Sequence, residues 1–252
     1  MVHFVGAGCG APDLITVRGA KLLSQADVVI YAGSLVNPAL LSDVKPGCAV
    51  YNSAEMTLDE VVSVMQAAEA AGKTTVRLHT GDPSVYGAIR EQMDRLIALS
   101  IEYDVCPGVS SFCGAAAALK AEYTLPSVSQ SVIITRAAGR TPVPERESIR
   151  SFAAHNATMV IFLSAGMTQT LQTELQAGGY AAETPAAIVY KASWPDERVF
   201  RCTVGTLHQT AVDNGVKNLA LITVGGFLGT DYELSKLYDP AFTTAFRKGV
   251  DA

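Results

Sequence analysis

The segment Val2-His-Phe-Val-Gly-Ala-Gly-Cys-Gly-Ala-Pro-Asp13 is the strongest indication of the fold class. A short apolar run ends in glycines at positions 6, 8 and 10, and Pro12 and Asp13 then open an apolar-periodic segment typical of a helix. A strand, a turn without side chains and a helix in this order let a ligand lie against bare backbone at the carboxyl end of a sheet. The stretch therefore predicts an α/β fold with a ligand site at its first turn.

The glycine spacing also fits the dinucleotide pattern G-x-G-x-x-G/A if Ala11 takes the last place. Pro12 argues against this interpretation because it lacks the backbone N–H that a phosphate-binding helix should offer. The second strand ends in Tyr31-Ala-Gly33, without the acidic residue that holds a nicotinamide ribose. A nicotinamide cofactor is disfavoured, and a tight turn with no ligand stays open as the structural alternative.

Composition narrows the function classes. The chain has 252 residues, of which 49% are hydrophobic and 17% charged, so it can bury a large core. Its net charge of -5 disfavours nucleic acid as a partner. No apolar run approaches the roughly 18 residues that cross a bilayer, so no membrane partner is expected. A strand begins directly after Met1 and leaves no room for a signal peptide, which predicts a cytoplasmic protein. The five cysteines and four histidines show no metal-ligand spacing, so no metal site is predicted.

The strand and helix patterns predict two α/β domains, residues 1–122 and 131–252, joined by a linker at 123–130. In the first domain, short connections favour a mainly parallel sheet covered on both faces. In the second, the loop Ala192–Glu197 is too short for a crossover helix, so its flanking strands should form a hairpin in a mixed sheet. The expected strands are 2–5, 27–31, 48–52, 74–79, 101–106, 131–135, 158–163, 186–191, 198–204 and 218–224. The expected helices are 14–25, 37–43, 57–71, 84–99, 110–120, 145–154, 167–177 and 205–214.

Two further small-residue turns follow predicted strands. In Thr80-Gly-Asp-Pro-Ser-Val-Tyr-Gly87, Asp82 and Ser84 are candidate helix caps and Pro83 a helix start. In Pro107-Gly-Val-Ser-Ser-Phe112, the two serines can cap a helix or bind a ligand. Because open α/β sheets bind ligands at the carboxyl ends of their strands, the three turns together predict a cleft suited to an uncharged or zwitterionic ligand.

A basic segment, Thr135 to Arg150, contrasts with the acidic chain. Arg136 and Arg140 lie in a Gly- and Pro-containing loop with no acid near them in sequence. Arginine binds carboxylates and phosphates through two parallel hydrogen bonds. This segment is either an ordinary solvated loop or the grip on a polyanionic substrate.

Three motifs resemble the tetrapyrrole methyltransferases that use S-adenosylmethionine: Gly-Ala-Gly-x-Gly-x-Pro-Asp-Leu-Ile-Thr (6–16), Gly-Asp-Pro-Ser-Val-Tyr-Gly (81–87) and Pro-Gly-Val-Ser-Ser (107–111). Other stretches resemble the branch that methylates carbon 11 of precorrin-4 or cobalt-precorrin-4 in cobalamin synthesis. These are Tyr31–Pro38, Thr135–Glu145, Phe162–Ser164 and Ala192–Glu197.

The resemblance implies a homodimer of two-domain subunits, with S-adenosylmethionine in the cleft between the domains and a tetrapyrrole substrate. Arg136 and Arg140 would then anchor the acetate and propionate arms of the substrate. The resemblance implies cofactor contacts at Cys9, Gly10, Thr80, Gly81, Asp82, Val85, Ser110, Ser111, Leu163, Ala192 and Ala220.

The chain departs from the family at the first turn, where Gly-Pro-Gly-Asp-Pro is usual and Gly8-Cys-Gly-Ala-Pro12 stands here. Ala32 replaces an aspartate that has been considered a base in uroporphyrinogen methyltransferases, so no catalytic residue is assigned. Three alternatives stay open from the sequence: another precorrin or uroporphyrinogen methyltransferase, a nicotinamide-dependent oxidoreductase, and a non-catalytic tetrapyrrole carrier.

Overall fold

The computed structural model describes residues 1–33 and 35–250; Ser34, Asp251 and Ala252 lie outside the described residues. The chain divides into two compact units. The first comprises Met1–Ala115 together with Lys191–Glu197, and the second comprises Ala116–Tyr190 together with Arg198–Ala252. The chain leaves the first unit after Ala115 and returns to it for one seven-residue segment, Lys191–Glu197.

The first unit is built on a five-stranded sheet in the order β3-β2-β4-β1-β5, with every neighbouring pair parallel. This confirms the predicted parallel sheet. The strands are β1 (Val2–Gly6), β2 (Val28–Tyr31), β3 (Ala49–Asn52), β4 (Thr75–His79) and β5 (Tyr103–Cys106). The helices are α1 (Val17–Gln25), α2 (Leu58–Ala70), α3 (Ile89–Ala98) and α4 (Ser111–Leu119).

Apolar side chains cover both faces of this sheet, as buried parallel strands require. One face packs around Val5, Leu23 and Leu78, and the other around Phe4, Met65 and Leu96. Burying each such side chain stabilises the fold by about 1.5–3 kcal/mol. β1 lies between β4 and β5, so the turns that follow these three strands start side by side.

Local signals set most helix ends. Thr57 and Glu60 form the predicted capping box of α2, in which the Thr57 amide donates to the Glu60 carboxylate over 2.7 Å. The prediction of a helix from residue 84 is wrong, since α3 begins at Ile89. Tyr86 and Ala88 have left-handed backbones, with φ of 56° and 49°, and this conformation interrupts a right-handed helix. The predicted helix at 37–43 is a 3-10 helix, Pro38–Asp43.

The second unit has a mixed sheet in the order β6-β7-β10-β8-β9. Only β6 and β7 pair in parallel among these neighbours, and β8 and β9 form the predicted antiparallel hairpin. The strands are β6 (Val132–Arg136), β7 (Thr158–Phe162), β8 (Pro185–Tyr190), β9 (Arg198–Thr203) and β10 (Ala220–Val224). The helices are α5 (Ile149–Ala153), α6 (Thr168–Gly178) and α7 (Leu207–Asp213). In the described ranges, none of the helices has the length and apolar character needed to span a membrane.

Candidate functional site

The candidate site begins at the carboxyl edge of the first sheet, where the turns after β1 and β4 are joined by backbone hydrogen bonds. The Gly81 amide donates to the Gly8 carbonyl over 2.8 Å, and the Gly8 amide donates to the Gly81 carbonyl over 3.3 Å. The Ala7 amide donates to the His79 carbonyl over 2.7 Å. The two turns therefore extend the parallel sheet by a short antiparallel bridge and form one continuous rim.

Three glycines from the three turns lie against one another without room for side chains. A Cβ atom on Gly6 would lie 2.5 Å from the Gly108 Cα, and one on Gly108 would lie 2.1 Å from the Gly81 carbonyl oxygen. Gly81 has φ of +64°, in the left-handed region that glycine adopts without the steric cost of a Cβ. The close packing leaves main-chain atoms as the surface of this part of the rim.

Asp82 links the second and third turns. Its carboxylate accepts hydrogen bonds from the Gly108 amide over 2.9 Å and from the Ser84 amide over 2.8 Å, and also from the Ser84 hydroxyl. Burial by itself raises the pKa of this carboxyl, but the hydrogen bonds outweigh burial and the pKa lies below its ordinary value. Asp82 is thus ionised at neutral pH and fixes the turn geometry, instead of capping α3 as the sequence suggested.

Two buried polar atoms next to this rim lack hydrogen-bond partners within residues 1–33 and 35–250: the Thr80 Oγ1 and the His79 Nε2. A buried hydroxyl without a partner costs free energy unless a ligand or water bonds to it. Thr80 follows β4 directly and precedes the glycine of the rim. A buried hydroxyl without a partner, beside backbone that carries no side chains, fits a small polar ligand.

His79 gives the fold a measurable pH dependence. Burial, with the positive charge of Arg77 as a second cause, lowers the pKa of His79 from 6.5 to about 3. Between pH 6.5 and about pH 3, His79 is therefore protonated in the unfolded chain and neutral in the folded chain. The free energy of unfolding consequently falls as the pH drops below 6.5. We expect His79 to make the free energy of unfolding about 2 kcal/mol smaller at pH 5 than at pH 7, and urea unfolding at both pH values measures this.

In the matched variant His79→Gln, the part of the pH dependence of unfolding that comes from His79 should disappear. The parts that come from other titratable groups should remain. NMR titration of the wild-type imidazole provides a second measurement, in which His79 should stay neutral throughout the range from pH 7 to pH 5. An equal loss of stability in both proteins, or an imidazole that titrates near pH 6.5, would contradict the prediction.

The hairpin loop, residues 191–197, packs on the first turn and belongs to the same unit. A Cβ atom on Gly10 would lie 2.6 Å from the Ala192 carbonyl oxygen and 2.3 Å from the Trp194 Cδ1. One on Gly114 would lie 2.8 Å from the Cys9 Sγ and 3.4 Å from the Ala192 Cβ. Ala192 is therefore brought to the first turn from a position about 180 residues further along the chain.

Nine of the eleven residues predicted to contact a cofactor lie in the first unit, and the other two lie in the second. Ser110 and Ser111 lie at the start of α4, where a Cβ on Gly81 would meet the Ser110 Cα and the Ser111 amide at 3.4 Å. Val85 lies in the second turn, and its amide donates to the Asp82 carbonyl. The members of the first group are Cys9, Gly10, Thr80, Gly81, Asp82, Val85, Ser110, Ser111 and Ala192.

Leu163 and Ala220 lie together in the second unit. Leu163 follows β7 and Ala220 begins β10, and the antiparallel register of Ile222 against Ile161 makes these two ends neighbours. Leu163 is a leucine with 64% of its surface exposed and a left-handed φ of 53°. Strained backbones of this kind cluster at ligand sites. Such a leucine fits a residue that covers a ligand.

The two arginines predicted to bind substrate have different surroundings. Arg136 is the last residue of β6 and not a loop residue, and its guanidinium donates to the carbonyls of Ala137, Thr141 and Pro142 over 2.8–3.3 Å. Arg140 lies on the loop that these bonds hold, and its side chain is exposed. Arg136 thus shapes the loop, and Arg140 is the arginine presented to solvent.

No cluster of metal-ligating side chains occurs in the part of the chain that the structure describes.

Sequence reasoning missed two groups that support the first turn. The Asn37 side chain donates to the Gly10 carbonyl over 2.9 Å, and the Ser193 hydroxyl accepts from the Ala11 amide over 2.9 Å. Asn37 precedes Pro38, so its local signal indicated only a helix cap, a role it also fills by accepting from the Ala39 amide. Nothing local to Ser193 indicates its partner, which lies 182 residues away.

Comparison with known proteins agrees with this architecture. Residues 1–208 match the family described as Tetrapyrrole (Corrin/Porphyrin) Methylases. The chain is 52% identical to a cobalt-precorrin-4 C(11)-methyltransferase of Methanocaldococcus jannaschii over 98% of this chain and 96% of that one. It is 42% identical to a precorrin-4 C(11)-methyltransferase of Mycobacterium tuberculosis over 95% and 96% of the two chains.

Solved structures resemble this chain as well. Together with the family match, they confirm the predicted family and the predicted two-domain α/β fold class. An X-ray structure of a cobalt precorrin-4 methyltransferase aligns with a TM-score of 0.89 and 47% identity over 91% of this chain and 96% of that one. A uroporphyrin-III C-methyl transferase of Thermus thermophilus, complexed with S-adenosyl homocysteine, aligns with a TM-score of 0.76 and 27% identity over 90% and 92%. The chain belongs to the tetrapyrrole (corrin/porphyrin) methylases.

Proposed function

We propose that this protein transfers a methyl group from S-adenosylmethionine to carbon 11 of a precorrin-4 ring, with or without bound cobalt. Relatives of 42–52% identity that carry the carbon-11 methyltransferase name support the substrate class. The observation that carries the proposal is the rim formed by Gly6, Gly8, Gly81 and Gly108, which presents backbone beside the unpaired Thr80 hydroxyl.

The residues of the rim fit the cofactor. Bound S-adenosylmethionine supplies an already activated methyl group on its sulfonium. The protein therefore has to hold and orient the donor, to exclude water and to align the accepting carbon. Alignment alone can lower the barrier by about 7–11 kcal/mol, which agrees with a site that needs no nucleophile and no metal.

The rim offers the donor two kinds of contact. The Gly10 amide can bond to the amino-acid portion, and the Thr80 hydroxyl can gain the partner it lacks. Val85 and Ala192 offer apolar or small surfaces for the adenosine portion. Asp82 acts indirectly, because its carboxylate is engaged by Gly108 and Ser84 and holds the turns in place.

The substrate is a polyanion, and Arg140 provides an exposed guanidinium for its carboxylates. Arg136 orders the loop that carries Arg140. No side chain is assigned as the proton acceptor. The homodimer implied by the resemblance and the cytoplasmic location expected from the sequence stay predictions.

The proposal is tested by calorimetry with S-adenosylhomocysteine, followed by a single turnover with methyl-labelled S-adenosylmethionine and precorrin-4 in metal-free and cobalt-loaded forms. We expect micromolar or tighter binding and transfer of label to carbon 11 of at least one ring. Binding without transfer to either ring would favour the carrier alternative. Binding of NADH without binding of S-adenosylhomocysteine would favour the oxidoreductase and overturn the proposal.

A further inference from the structure

The hairpin loop, residues 191–197, is a preorganised element. The Lys191 ammonium lies 2.7 Å from the Asp196 carboxylate and 5.3 Å from the centre of the Trp194 ring. Inside the loop, the Trp194 amide donates to the Lys191 carbonyl and the Glu197 amide donates to the Trp194 carbonyl, each over 3.0 Å. These bonds fix the loop with groups of its own, so its shape does not depend on a ligand.

Ser193 is held in an unfavourable conformation within this loop. Its φ is +66°, in the left-handed region that costs a residue with a Cβ about 1–2 kcal/mol. The Glu197 carboxylate accepts a hydrogen bond from the Ser193 amide over 2.6 Å, and this bond stabilises the conformation. A strained backbone that the surroundings hold in place is a feature of functional sites, and here it directs the hydroxyl at the first turn.

The Ser193 hydroxyl contacts two residues of the first turn. It accepts a hydrogen bond from the Ala11 amide over 2.9 Å and lies 3.4 Å from the Cys9 Sγ. The Trp194 ring occupies the space next to Gly10 that any Cβ there would need. Loop residues 192–194 therefore contact each of the three residues between Gly8 and Pro12.

At the end of the first turn the Leu14 amide donates to the Ala11 carbonyl over 3.1 Å, whereas the Ala11 amide has its partner outside the turn. Neither Cys9 nor Ala11 fixes its own φ as proline would, and Ala11 makes no side-chain cap bond to the 3-10 helix that follows. Its conformation depends on groups from elsewhere in the chain, and the Ser193 hydroxyl supplies one of these directly to the turn backbone.

We infer that Ser193 is a positioning residue for the methyl donor: its hydroxyl holds the Cys9–Ala11 turn in the conformation that binds the cofactor. This inference rests on the proposed function, since it assigns a residue to the same site. Ser193 acts through the turn and touches neither reacting atom, so it should affect donor affinity and leave the chemical step unchanged.

The test compares Ser193→Gly and Ser193→Ala with wild type and with Ser24→Ala. Glycine removes the hydroxyl and the backbone strain together, whereas alanine removes the hydroxyl alone. Ser24 is an exposed serine on α1 whose hydroxyl bonds only locally to the Lys21 carbonyl, so its variant is the matched control. Donor affinity is measured with S-adenosylhomocysteine, and kcat and the substrate KM are measured with saturating donor.

Both Ser193 variants should bind S-adenosylhomocysteine about fivefold to tenfold more weakly, the effect of one lost hydrogen bond. Their kcat and substrate KM should stay within about twofold of wild type, and Ser24→Ala should match wild type in every respect. Amide hydrogen exchange at Ala11 in the ligand-free protein should rise at least about fivefold in both variants.

Three outcomes would overturn the inference. Unchanged donor affinity in Ser193→Gly and Ser193→Ala, with wild type binding normally, would remove Ser193 from the site and leave the proposed function standing. Weaker binding in the glycine variant alone would assign the effect to the altered backbone at position 193 and not to the hydroxyl. Failure of wild type itself to bind S-adenosylhomocysteine would instead overturn the proposed function together with this inference.

Discussion

Replacing Gly108 with alanine is expected to abolish donor binding, with the dissociation constant of S-adenosylhomocysteine raised at least about a hundredfold. The added methyl group would lie 2.1 Å from the Gly81 carbonyl oxygen and 2.7 Å from the Gly6 Cα, and both obstacles are backbone. The turns must move apart by about 1 Å to accept it, which also strains the Gly108–Asp82 bond. Overpacking of this kind costs about 1–3 kcal/mol of stability. Calorimetry and thermal unfolding measure the two effects.

Gly72→Ala is the matched control for this variant. Gly72 follows α2 and has φ of +64°, but a methyl group there would meet no atom within 4 Å. Gly72→Ala should lower the free energy of unfolding by only about 1–2 kcal/mol, the cost of an alanine in the left-handed region, and should leave donor affinity unchanged. If Gly108→Ala bound the donor product as tightly as Gly72→Ala does, the glycine rim would not be the donor site.

The second large effect is expected on the substrate side. Arg140→Ala should raise the KM for the tetrapyrrole about tenfold, because a charge-assisted pair is worth about 1.5–3 kcal/mol. The double variant Arg136→Ala/Arg140→Ala should raise it about a hundredfold, because loss of Arg136 also releases the loop that presents the site. Donor affinity should change less than twofold in both proteins. Steady-state kinetics with varied tetrapyrrole and saturating donor measure the first effect, and calorimetry the second.

Arg146→Ala provides the comparison within the same basic segment. Arg146 is 84% exposed and lies 3.5 Å from the Glu147 carboxylate, so its charge is already offset locally. We expect its KM for the tetrapyrrole to stay near the wild-type value. An unchanged KM in the double variant would exclude these arginines as the anchor, and an equal rise in Arg146→Ala would indicate a general effect of charge.

Features that depend on neighbouring residues were predictable from the sequence. The capping box of Thr57 and Glu60 spans four residues, and the short loop between β8 and β9 leaves no length for a crossover. The alternation of apolar strands and amphipathic helices likewise follows from short-range periodicity. The location of the three glycine turns at one edge of the sheet required only the rule for the carboxyl ends of parallel strands. Their adjacency depends on the strand order, with β1 between β4 and β5.

The start of α3 could not be predicted in this way. The pattern of Asp82, Pro83 and Ser84 indicates a capped helix, yet the Asp82 carboxylate bonds to the Gly108 amide, 26 residues away. That bond and the left-handed backbones of Tyr86 and Ala88 replace the first helical turn. Such backbones are unfavourable in isolation, so local propensity argues against them.

Residue types at short and regular spacing were enough to predict the succession of strands and helices along the chain, the hairpin, the glycine turns and the family. The packed fold was needed to show that Asp82 joins two turns, that Arg136 bonds to its own loop, and that Ser193 supports Ala11. Each of these roles depends on a hydrogen bond whose distance and direction are set by the packed fold. The identity of the residue alone does not specify that partner.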